Sequence, residues 1–302
     1  MFNKLGYLLI VVLAVLMFVA PKLKAQSVVV DGSTPEAVTK GYQFTEGPYW
    51  HPDGYLLFSD IPSNTIYKWT PGSEEAQAFV KPSGHSNGIA SDHQGNLIIA
   101  QHDGMVSKIN SEQKVVVLAS SYEGKRLNSP NDLTVSEEGI IYFTDPPFGV
   151  SEDDQELTFS GVYMLNPEGR LTLLYDGFSR PNGIELSPDE SKLYVNDSES
   201  GQILVFDRKE DGLVGSPMDF ASVGEGTESG AADGLTVDQQ GRVYSTGPKG
   251  VYVFSPEGKQ LQIIDLPARV TNMGWGGESN KMLYFTTPST IYRLNMQSRG
   301  VN

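Results

Sequence analysis

The 302-residue sequence contains no cysteine, only four histidines, and 22 lysines and arginines against 37 aspartates and glutamates. The absence of cysteine excludes disulfide bonds and a lipid-modified cysteine anchor. The formal net charge of −15 argues against nucleic acid and anionic membrane surfaces as partners. The histidines show no H-E-x-x-H spacing, so the sequence lacks this pattern of a zinc enzyme.

Beyond residue 26 the sequence also lacks an amphipathic helical periodicity of useful length, whereas glycine (32 residues) and proline (18 residues) are plentiful. Both residues are typical of tight turns, so the pattern predicts an all-β protein of many short strands. No shift in composition divides this part of the chain. We therefore expect a single domain over residues 26–302.

The N-terminal segment is of a different kind. Lys4 precedes an unbroken apolar run over residues 8–20, and Leu23-Lys24-Ala25 resembles a cleavage site. The run is short for a membrane-spanning helix, so residues 1–25 are predicted to be a secretory signal peptide and the protein to be periplasmic or secreted. The alternative is an uncleaved anchor, since Lys22 flanks the run. Cleavage leaves 19 basic and 37 acidic residues, a net charge of −18, and no stable membrane association is expected afterwards.

One segment of the sequence is repeated six times. Each copy opens with Glu, Asn or Asp, continues into an apolar alternating run, passes a turn and ends in a second β-rich run. The copies start 41, 44, 51, 51 and 39 residues apart, at Glu46, Asn87, Asn131, Asn182, Asp233 and Asn272. A period of roughly 40–50 residues with about four strands per unit is typical of a β-propeller. The sequence therefore predicts a six-bladed β-propeller.

Further strands can be placed within each unit. Third strands are predicted at residues 65–69, 105–109, 161–165, 202–206, 250–254 and 290–294. Fourth strands follow, for example at residues 171–175 and 260–264. The last unit has no fourth strand of its own, because the chain ends soon afterwards. We expect residues 28–30 to supply it and to close the ring, which would remove an exposed sheet edge.

The six opening residues stand at the entry to the innermost strand of each blade, so they should form a ring around the central channel. Their carboxylate and amide oxygens are the ligands that hard divalent cations prefer. The ring therefore predicts a metal site in the channel. In the alternative interpretation, the Asn-Gly and Asp-Gly pairs are only hairpin turns. Each of these repeats, however, has a separate turn seven to nine residues later, such as Gln94-Gly95.

Two further features bear on the chemistry. Gly84-His85-Ser86-Asn87-Gly88 matches the G-x-S-x-G pattern of α/β-hydrolases, which requires a strand, a sharp turn and a helix. A β-hairpin follows here, so we expect no serine nucleophile. His102 ends the second strand of its repeat and His85 enters a first strand, which makes both candidates for substrate contacts at the mouth of the channel.

Six motifs in order resemble the gluconolactonase / senescence-marker-protein (regucalcin) family, and most closely its bacterial gluconolactonases. They are EGP at 46–48, RLNSPND at 126–132, YFTDPPFG at 142–149, RPNGIELSPD at 180–189, ADGLTVDQQG at 232–241 and TNMGWGG at 271–277. The resemblance extends from about Tyr42 to the C-terminus. It implies a six-bladed propeller that binds one divalent cation in the channel and hydrolyses small sugar-acid lactones. Calcium is the first candidate for the cation, with magnesium, manganese and zinc as alternatives.

The resemblance also assigns roles to single residues. By position, Glu46, Asn182 and Asp233 match the metal ligands, and Asp233 also matches the proposed acid/base. Asn131 matches a residue that contacts substrate or metal, and Asn87 is expected to hold water or a sugar hydroxyl.

One expected residue is missing. In the vertebrate members an arginine stands two residues before the position of Asn131, where this sequence has Ser129. Arg126 is the candidate for its replacement, and His102 remains a candidate substrate contact.

The implied reaction is polarisation of the lactone carbonyl by the cation, with Asp233 taking a proton from water and returning it to the ring oxygen. Two alternatives remain open. One is a related propeller hydrolase acting on other lactones or on organophosphates. The other is a calcium- or sugar-binding propeller without catalytic activity.

Overall fold

The computed structural model describes residues 27–227 and 230–301. The predicted signal peptide, residues 1–25, lies outside the described residues. Within the described ranges the chain folds into 26 short β-strands. Within these ranges, no helix is long and apolar enough to cross a bilayer.

The strands form six four-stranded antiparallel sheets, the blades of a propeller, and one additional two-stranded hairpin. The first five blades are, in order, β2–β5 (Thr45–His51, Tyr55–Asp60, Thr65–Trp69, Gln77–Val80), β6–β9 (Ser86–Ser91, Leu97–Gln101, Met105–Ile109, Val115–Ala119), β12–β15 (Leu133–Val135, Ile141–Asp145, Gly161–Leu165, Leu171–Tyr175), β16–β19 (Pro181–Leu186, Lys192–Asp197, Gln202–Asp207, Met218–Ser222) and β20–β23 (Leu235–Val237, Val243–Gly247, Gly250–Phe254, Gln260–Ile264). The hairpin of β10 (Ser121–Tyr122) and β11 (Lys125–Arg126) lies between the second and third blades.

The sixth blade joins the two ends of the chain. Its strands are β24 (Asn272–Gly276), β25 (Met282–Thr286), β26 (Thr290–Asn295) and, from the N-terminal part, β1 (Glu36–Lys40). β1 runs antiparallel to β26, so a strand from the N-terminal part of the chain closes the ring, as predicted.

The closing strand is not the predicted one. Residues 28–30 contribute only an isolated bridge between Val29 and Met296, beyond the end of β26. A turn at Asp31-Gly32 separates this bridge from β1, where the regular ladder begins. The prediction took the first apolar segment after the cleavage site, whereas pairing depends on which segment can lie along the open edge without interruption.

The innermost strands of successive blades contact one another around the whole ring, and β24 contacts β2. Two glycines show how close these strands come. A Cβ added to Gly47 would lie 2.0 Å from the backbone oxygen of Asn87, and one added to Gly183 would lie 2.4 Å from the backbone nitrogen of Leu235. Only glycine fits directly after Glu46 and Asn182, because the inner strand of the next blade packs against the chain at these positions. The Asn-Gly pairs at 87–88 and 182–183 lie inside β6 and β16 and are not hairpin turns.

The hydrophobic core is divided into layers between neighbouring blades. One layer joins Tyr194 and Val205 of the fourth blade to Leu235 and Val243 of the fifth, and comparable clusters lie between other blades. Apolar burial thus holds each blade to the next. The polar ends of the inner strands are left facing the channel, where the candidate site forms.

Candidate functional site

One end of the channel opens into a cavity of about 470 Å³. Five of the six predicted ring residues line it, and all five are buried: Glu46, Asn87, Asn131, Asn182 and Asp233. Each comes from a different blade, at or just before the start of an inner strand. The repeat therefore brings five oxygen-bearing side chains together at the base of one cavity.

The sixth ring residue, Asn272, is not part of this cavity. Its Nδ2 donates to Asp132 Oδ2 over 3.2 Å, and its Oδ1 accepts from the Met273 amide over 2.7 Å. It lines a second cavity, of about 730 Å³, at the opposite end of the channel. Gly234 allows this orientation, because a Cβ there would lie 2.0 Å from Asn272 Oδ1. The prediction of a six-membered ring facing one point is wrong at this position.

Asp233 is held by two neighbours. Its Oδ1 accepts from Asn182 Nδ2 over 2.8 Å, and its Oδ2 lies 3.4 Å from Arg269 Nη2. Burial raises the pKa of Asp233 to about 6, against the opposing effects of the Arg269 charge and the Asn182 hydrogen bond. Asp233 is therefore mainly ionised at neutral pH while remaining a stronger base than an exposed aspartate.

Glu46 is in a less favourable environment. Its Oε2 accepts from the Gly47 amide over 3.1 Å. Its pKa is raised well above the ordinary value, first by burial and then by the negative charges of Asp233 and Asp132. Two carboxylates thus share a buried space, an arrangement that a bound cation would stabilise.

His102 orients two of the amides. Its Nε2 lies 3.2 Å from Asn87 Nδ2 and 3.4 Å from Asn131 Nδ2. Burial, followed by the nearby His85, lowers the pKa of His102 to about 4, so the ring is neutral at pH 7 and Nε2 accepts from both amides. Asn87 Oδ1 is buried and has no hydrogen-bond partner among the described residues.

The oxygen atoms that line the cavity are suitable ligands for a hard divalent cation. Two carboxylates and the amide oxygens supply oxygen ligands only, and the unpartnered Asn87 Oδ1 is an acceptor available for coordination. Within residues 27–227 and 230–301 no three His, Cys, Asp or Glu side chains form a cation site by themselves. The side-chain oxygens that line the cavity and could bind a cation are those of Glu46 and Asp233 and of the three asparagines.

Three other residues considered in the sequence lie elsewhere. Arg126 Nη1 donates to the backbone oxygens of Leu127 and Asn128, both over 2.8 Å, and the side chain does not line the cavity. His85 also lies outside the lining, with Nδ1 2.8 Å from Asp103 Oδ1. Ser86 is buried within β6 and no helix follows it, as expected for a chance G-x-S-x-G match.

Several lining residues were not identified from the sequence. Ile61 and Ser198 line the cavity at the position where His102 stands in its own repeat, directly after the second strand. Phe44 and Arg180 line it two residues before Glu46 and Asn182. Aligning the six repeats at two positions, directly after the second strand and two residues before the ring residue, could have identified all four. Arg269, in the connection before β24, stands at neither position.

The ring of blades and the oxygen-lined cavity define a six-bladed propeller with a central polar site. Residues 44–289 match the model of the SMP-30/Gluconolactonase/LRE-like region. The chain therefore belongs to this family.

Individual relatives agree with this assignment. The chain is 36% identical to a gluconolactonase from Zymomonas mobilis subsp. mobilis, over 93% of this chain and 86% of the relative. It superimposes on the structure of a gluconolactonase from Xanthomonas campestris with a TM-score of 0.80 and 30% identity, covering 89% and 91% of the two chains. The structure of a calcium-binding protein, regucalcin, from Agrobacterium tumefaciens shares the fold, with a TM-score of 0.73, 18% identity and coverage of 86% and 92%.

Proposed function

We propose that this protein hydrolyses sugar-acid lactones of the gluconolactone type to the corresponding aldonic acids, with a divalent cation bound by Glu46, Asn182 and Asp233. The observation that carries the proposal is the convergence of two buried carboxylates and three amides on one cavity. The gluconolactonases among its relatives support the same reaction class. The cavity volume of about 470 Å³ lies within the range typical of small-molecule sites.

A cation at this position would supply electrophilic polarisation of the lactone carbonyl. Calcium is the first candidate, because the donors are carboxylate and amide oxygens and because a relative of the same fold is described as calcium-binding. Magnesium, manganese and zinc remain the alternatives.

Asp233 is the proposed acid/base. It is buried among the residues that line the cavity, and its carboxylate can accept a proton from water. It takes the proton from the attacking water and returns it to the ring oxygen as the carbon–oxygen bond breaks. Asn182, bonded to its Oδ1, keeps the carboxylate in one orientation.

Asn87 and Asn131 are proposed to hold the attacking water or the sugar hydroxyls, and Asn87 Oδ1, which has no hydrogen-bond partner among the described residues, is proposed to contact the cation beside the three ligands named above. Their amides are fixed by His102 Nε2, which accepts from the amide nitrogens in the neutral tautomer that carries its proton on Nδ1. Phe44 and Phe148, which also line the cavity, give it apolar surface. Aromatic surface of this kind suits the C–H face of a sugar ring and helps to exclude bulk water.

The test is hydrolysis of glucono-δ-lactone by metal-stripped protein, with calcium, magnesium, manganese and zinc added back singly and proton release recorded against the spontaneous rate. We expect turnover to depend on the cation. Folded, cation-loaded protein that is inactive on a panel of lactones contradicts the proposal. Activity on a phosphotriester in the same assay would favour the organophosphate alternative, and sugar binding without turnover would favour a binding protein.

We also propose that the protein is exported and that residues 1–25 are removed as a signal peptide. The apolar run at residues 8–20 behind Lys4 supports this. Expression of the full-length gene with mass spectrometry of the mature protein is expected to show an N-terminus at Gln26. A chain that keeps Met1 and sediments with membranes would show an anchor instead.

A further inference from the structure

The cavity contains positive charge as well as the two carboxylates. Arg180 and Arg269 both line it, in a protein with a net charge of −15. They belong to connections that lead into different blades, before β16 and before β24. Two arginines beside a buried carboxylate pair need a physical explanation, because ion pairing at Asp233 accounts for only one contact.

The guanidinium of Arg269 is only partly used by the protein. Its Nη2 lies 3.4 Å from Asp233 Oδ2, which is longer than the roughly 2.7–2.9 Å of a strong charge-assisted hydrogen bond. Its Nε is buried and has no hydrogen-bond partner among the described residues. The group lies over the ring of Phe44, with its central carbon 5.9 Å from the ring centroid. Phe44 thus supports the planar group beneath the cavity without occupying its N–H donors.

Arg180 is placed differently. Its side chain is 56% exposed, lies 3.9 Å from Glu199 at the closest nitrogen–oxygen pair, and approaches the Phe148 ring at 5.8 Å. It therefore stands at the mouth of the cavity. Arg269, whose side chain is 36% exposed and touches Asp233, stands close to the reacting groups.

We propose that Arg269 forms a carboxylate-binding subsite next to Asp233, which binds the carboxylate released on C1 of the product and the negative charge that develops there during hydrolysis. The proposal rests on the proposed function. In that reaction the water oxygen bonds to C1 and the bond from C1 to the ring oxygen breaks. One water proton passes through Asp233 to the ring oxygen, and the carboxylic acid formed at C1 releases the other proton to solvent and becomes a carboxylate. Water activated by Asp233 must attack within reach of that residue, so the new carboxylate forms beside the Arg269 donors.

The chemistry of arginine suits this task. A guanidinium presents parallel N–H donors in a fixed plane that match the two oxygens of a carboxylate. A donor that bonds the developing anion more strongly than the neutral ester lowers the barrier to hydrolysis. If Arg269 only neutralised Asp233, its removal would affect neutral and anionic ligands alike. A carboxylate subsite predicts a selective loss.

The experiment compares gluconate with glucitol, a neutral polyol with the same number of carbons. Binding of each is measured by calorimetry on the cation-loaded protein, for the wild type, Arg269→Gln and Arg269→Lys. We expect Arg269→Gln to weaken gluconate binding at least tenfold and to leave glucitol binding unchanged. Arg269→Lys should lie between the two, because it keeps the charge and loses the planar fork. Arg170→Gln, which removes the same charge from an exposed turn, is the matched control.

Equal losses for gluconate and glucitol, or an unchanged affinity for gluconate in Arg269→Gln, would overturn the proposal. If Arg269→Gln does not fold, Arg269→Lys decides: its affinity for gluconate should be lower than that of the wild type while its affinity for glucitol is unchanged, and an unchanged affinity for gluconate rejects the subsite. Inhibition of lactone hydrolysis by gluconate gives an independent measurement, and its inhibition constant should rise in the variant.

Failure of the subsite can be distinguished from failure of the proposed function. If the wild type hydrolyses glucono-δ-lactone and gluconate inhibits the two Arg269 variants as strongly as the wild type, only the subsite proposal is rejected. A wild type that hydrolyses no lactone, yet binds gluconate through Arg269, keeps the subsite and rejects the lactonase proposal.

Discussion

Asn182 and Asp233 lie in neighbouring blades and share a hydrogen bond of 2.8 Å, in which the amide Nδ2 donates to the carboxylate Oδ1. Asn182 Nδ2 is also 3.0 Å from Ser198 Oγ. The amide nitrogen is therefore occupied by the protein, which fixes the orientation of the side chain. Two of the three proposed cation ligands are thus held in place by contacts within the chain, an arrangement that reduces the cost of ordering them on binding.

The first prediction concerns Asp233. Asp233→Asn preserves the shape and the contact with Asn182 but removes the proton acceptor. We expect the fold to be kept and turnover on glucono-δ-lactone to fall by about 100-fold or more, the usual scale of general acid–base catalysis. Asp153→Asn, at an exposed position, is the matched control. A fully active Asp233→Asn enzyme would discard the assignment.

The second prediction concerns the unpartnered oxygen. Asn87→Ala removes Oδ1, which no described residue satisfies, together with the bond from Nδ2 to His102. We expect calcium affinity, measured by calorimetric titration, to fall about tenfold, corresponding to ~1.4 kcal/mol. Circular dichroism in the presence of chelator should be unchanged and serves as the control for folding. Wild-type affinity in this variant would show that Asn87 does not contact the cation.

The third prediction concerns pH. Asp145 is fully buried, its Oδ2 accepts from the Asn128 amide over 2.9 Å, and its Oδ1 has no partner among the described residues. Burial raises the pKa of Asp145 to about 7. Because the folded pKa exceeds the unfolded value near 4, the contribution of this group to stability is complete below pH 4 and is lost as the pH rises through 7.

Asp145→Asn cannot ionise and should escape that loss. The unfolding temperature of the variant relative to wild type should therefore increase between pH 5 and pH 8, by an amount equivalent to a few kcal/mol at most. Asp132 and Asp233, with pKa values raised to about 7 and about 6, give both proteins a shared pH dependence, so the difference between the proteins is the informative quantity. A difference that is constant with pH would contradict the prediction.

The fourth prediction separates the two N-terminal segments. A chain starting at residue 32 keeps β1 and loses the contacts of residues 27–31, among them the Val29–Met296 bridge, the buried Val28 side chain and the hydrogen bond from the Val28 amide to Gln262. We expect its unfolding temperature to fall by several degrees, since about 1 kcal/mol corresponds to roughly 2–4 °C at this size. A chain starting at residue 41 also lacks β1 and the bond between Glu36 and Arg293. It should lose much more stability and associate through the open edge of β26. Equal melting of the two chains by calorimetry would show that β1 does not close the ring.

Much of the fold could be predicted because the repeat fixes a register. β4, β8, β14 and β22 have the predicted bounds, whereas β18 and β26 extend one residue beyond them. The alternation of apolar residues and the turn after each strand are local signals, and they determine local pairing. The closing strand could not be found in this way. Its partner is some 250 residues away in sequence, and the valines at 28–30 have higher β-propensity than the segment that actually pairs.

The same division holds for the site. Five ring residues could be predicted because each stands at an equivalent place in its repeat. The orientation of Asn272 could not, because it depends on space left by Gly234 and on the buried Asp132 of a blade across the channel. Arg269 could not be found either, since it lies outside the repeated registers and reaches Asp233 from the irregular connection between β23 and β24.

The pairing of β1 with β26 also determines when the protein can fold. During synthesis on the ribosome, the first five blades emerge with all four of their strands contiguous in the chain, so each can pair as it appears. The sixth cannot, because its outer strand Glu36–Lys40 is synthesised before all the others and its partner Thr290–Asn295 some 250 residues later. The Glu46 strand can contact the last blade only once that blade has been made. A nascent chain that does not yet include the last blade therefore carries an open ring without the finished site.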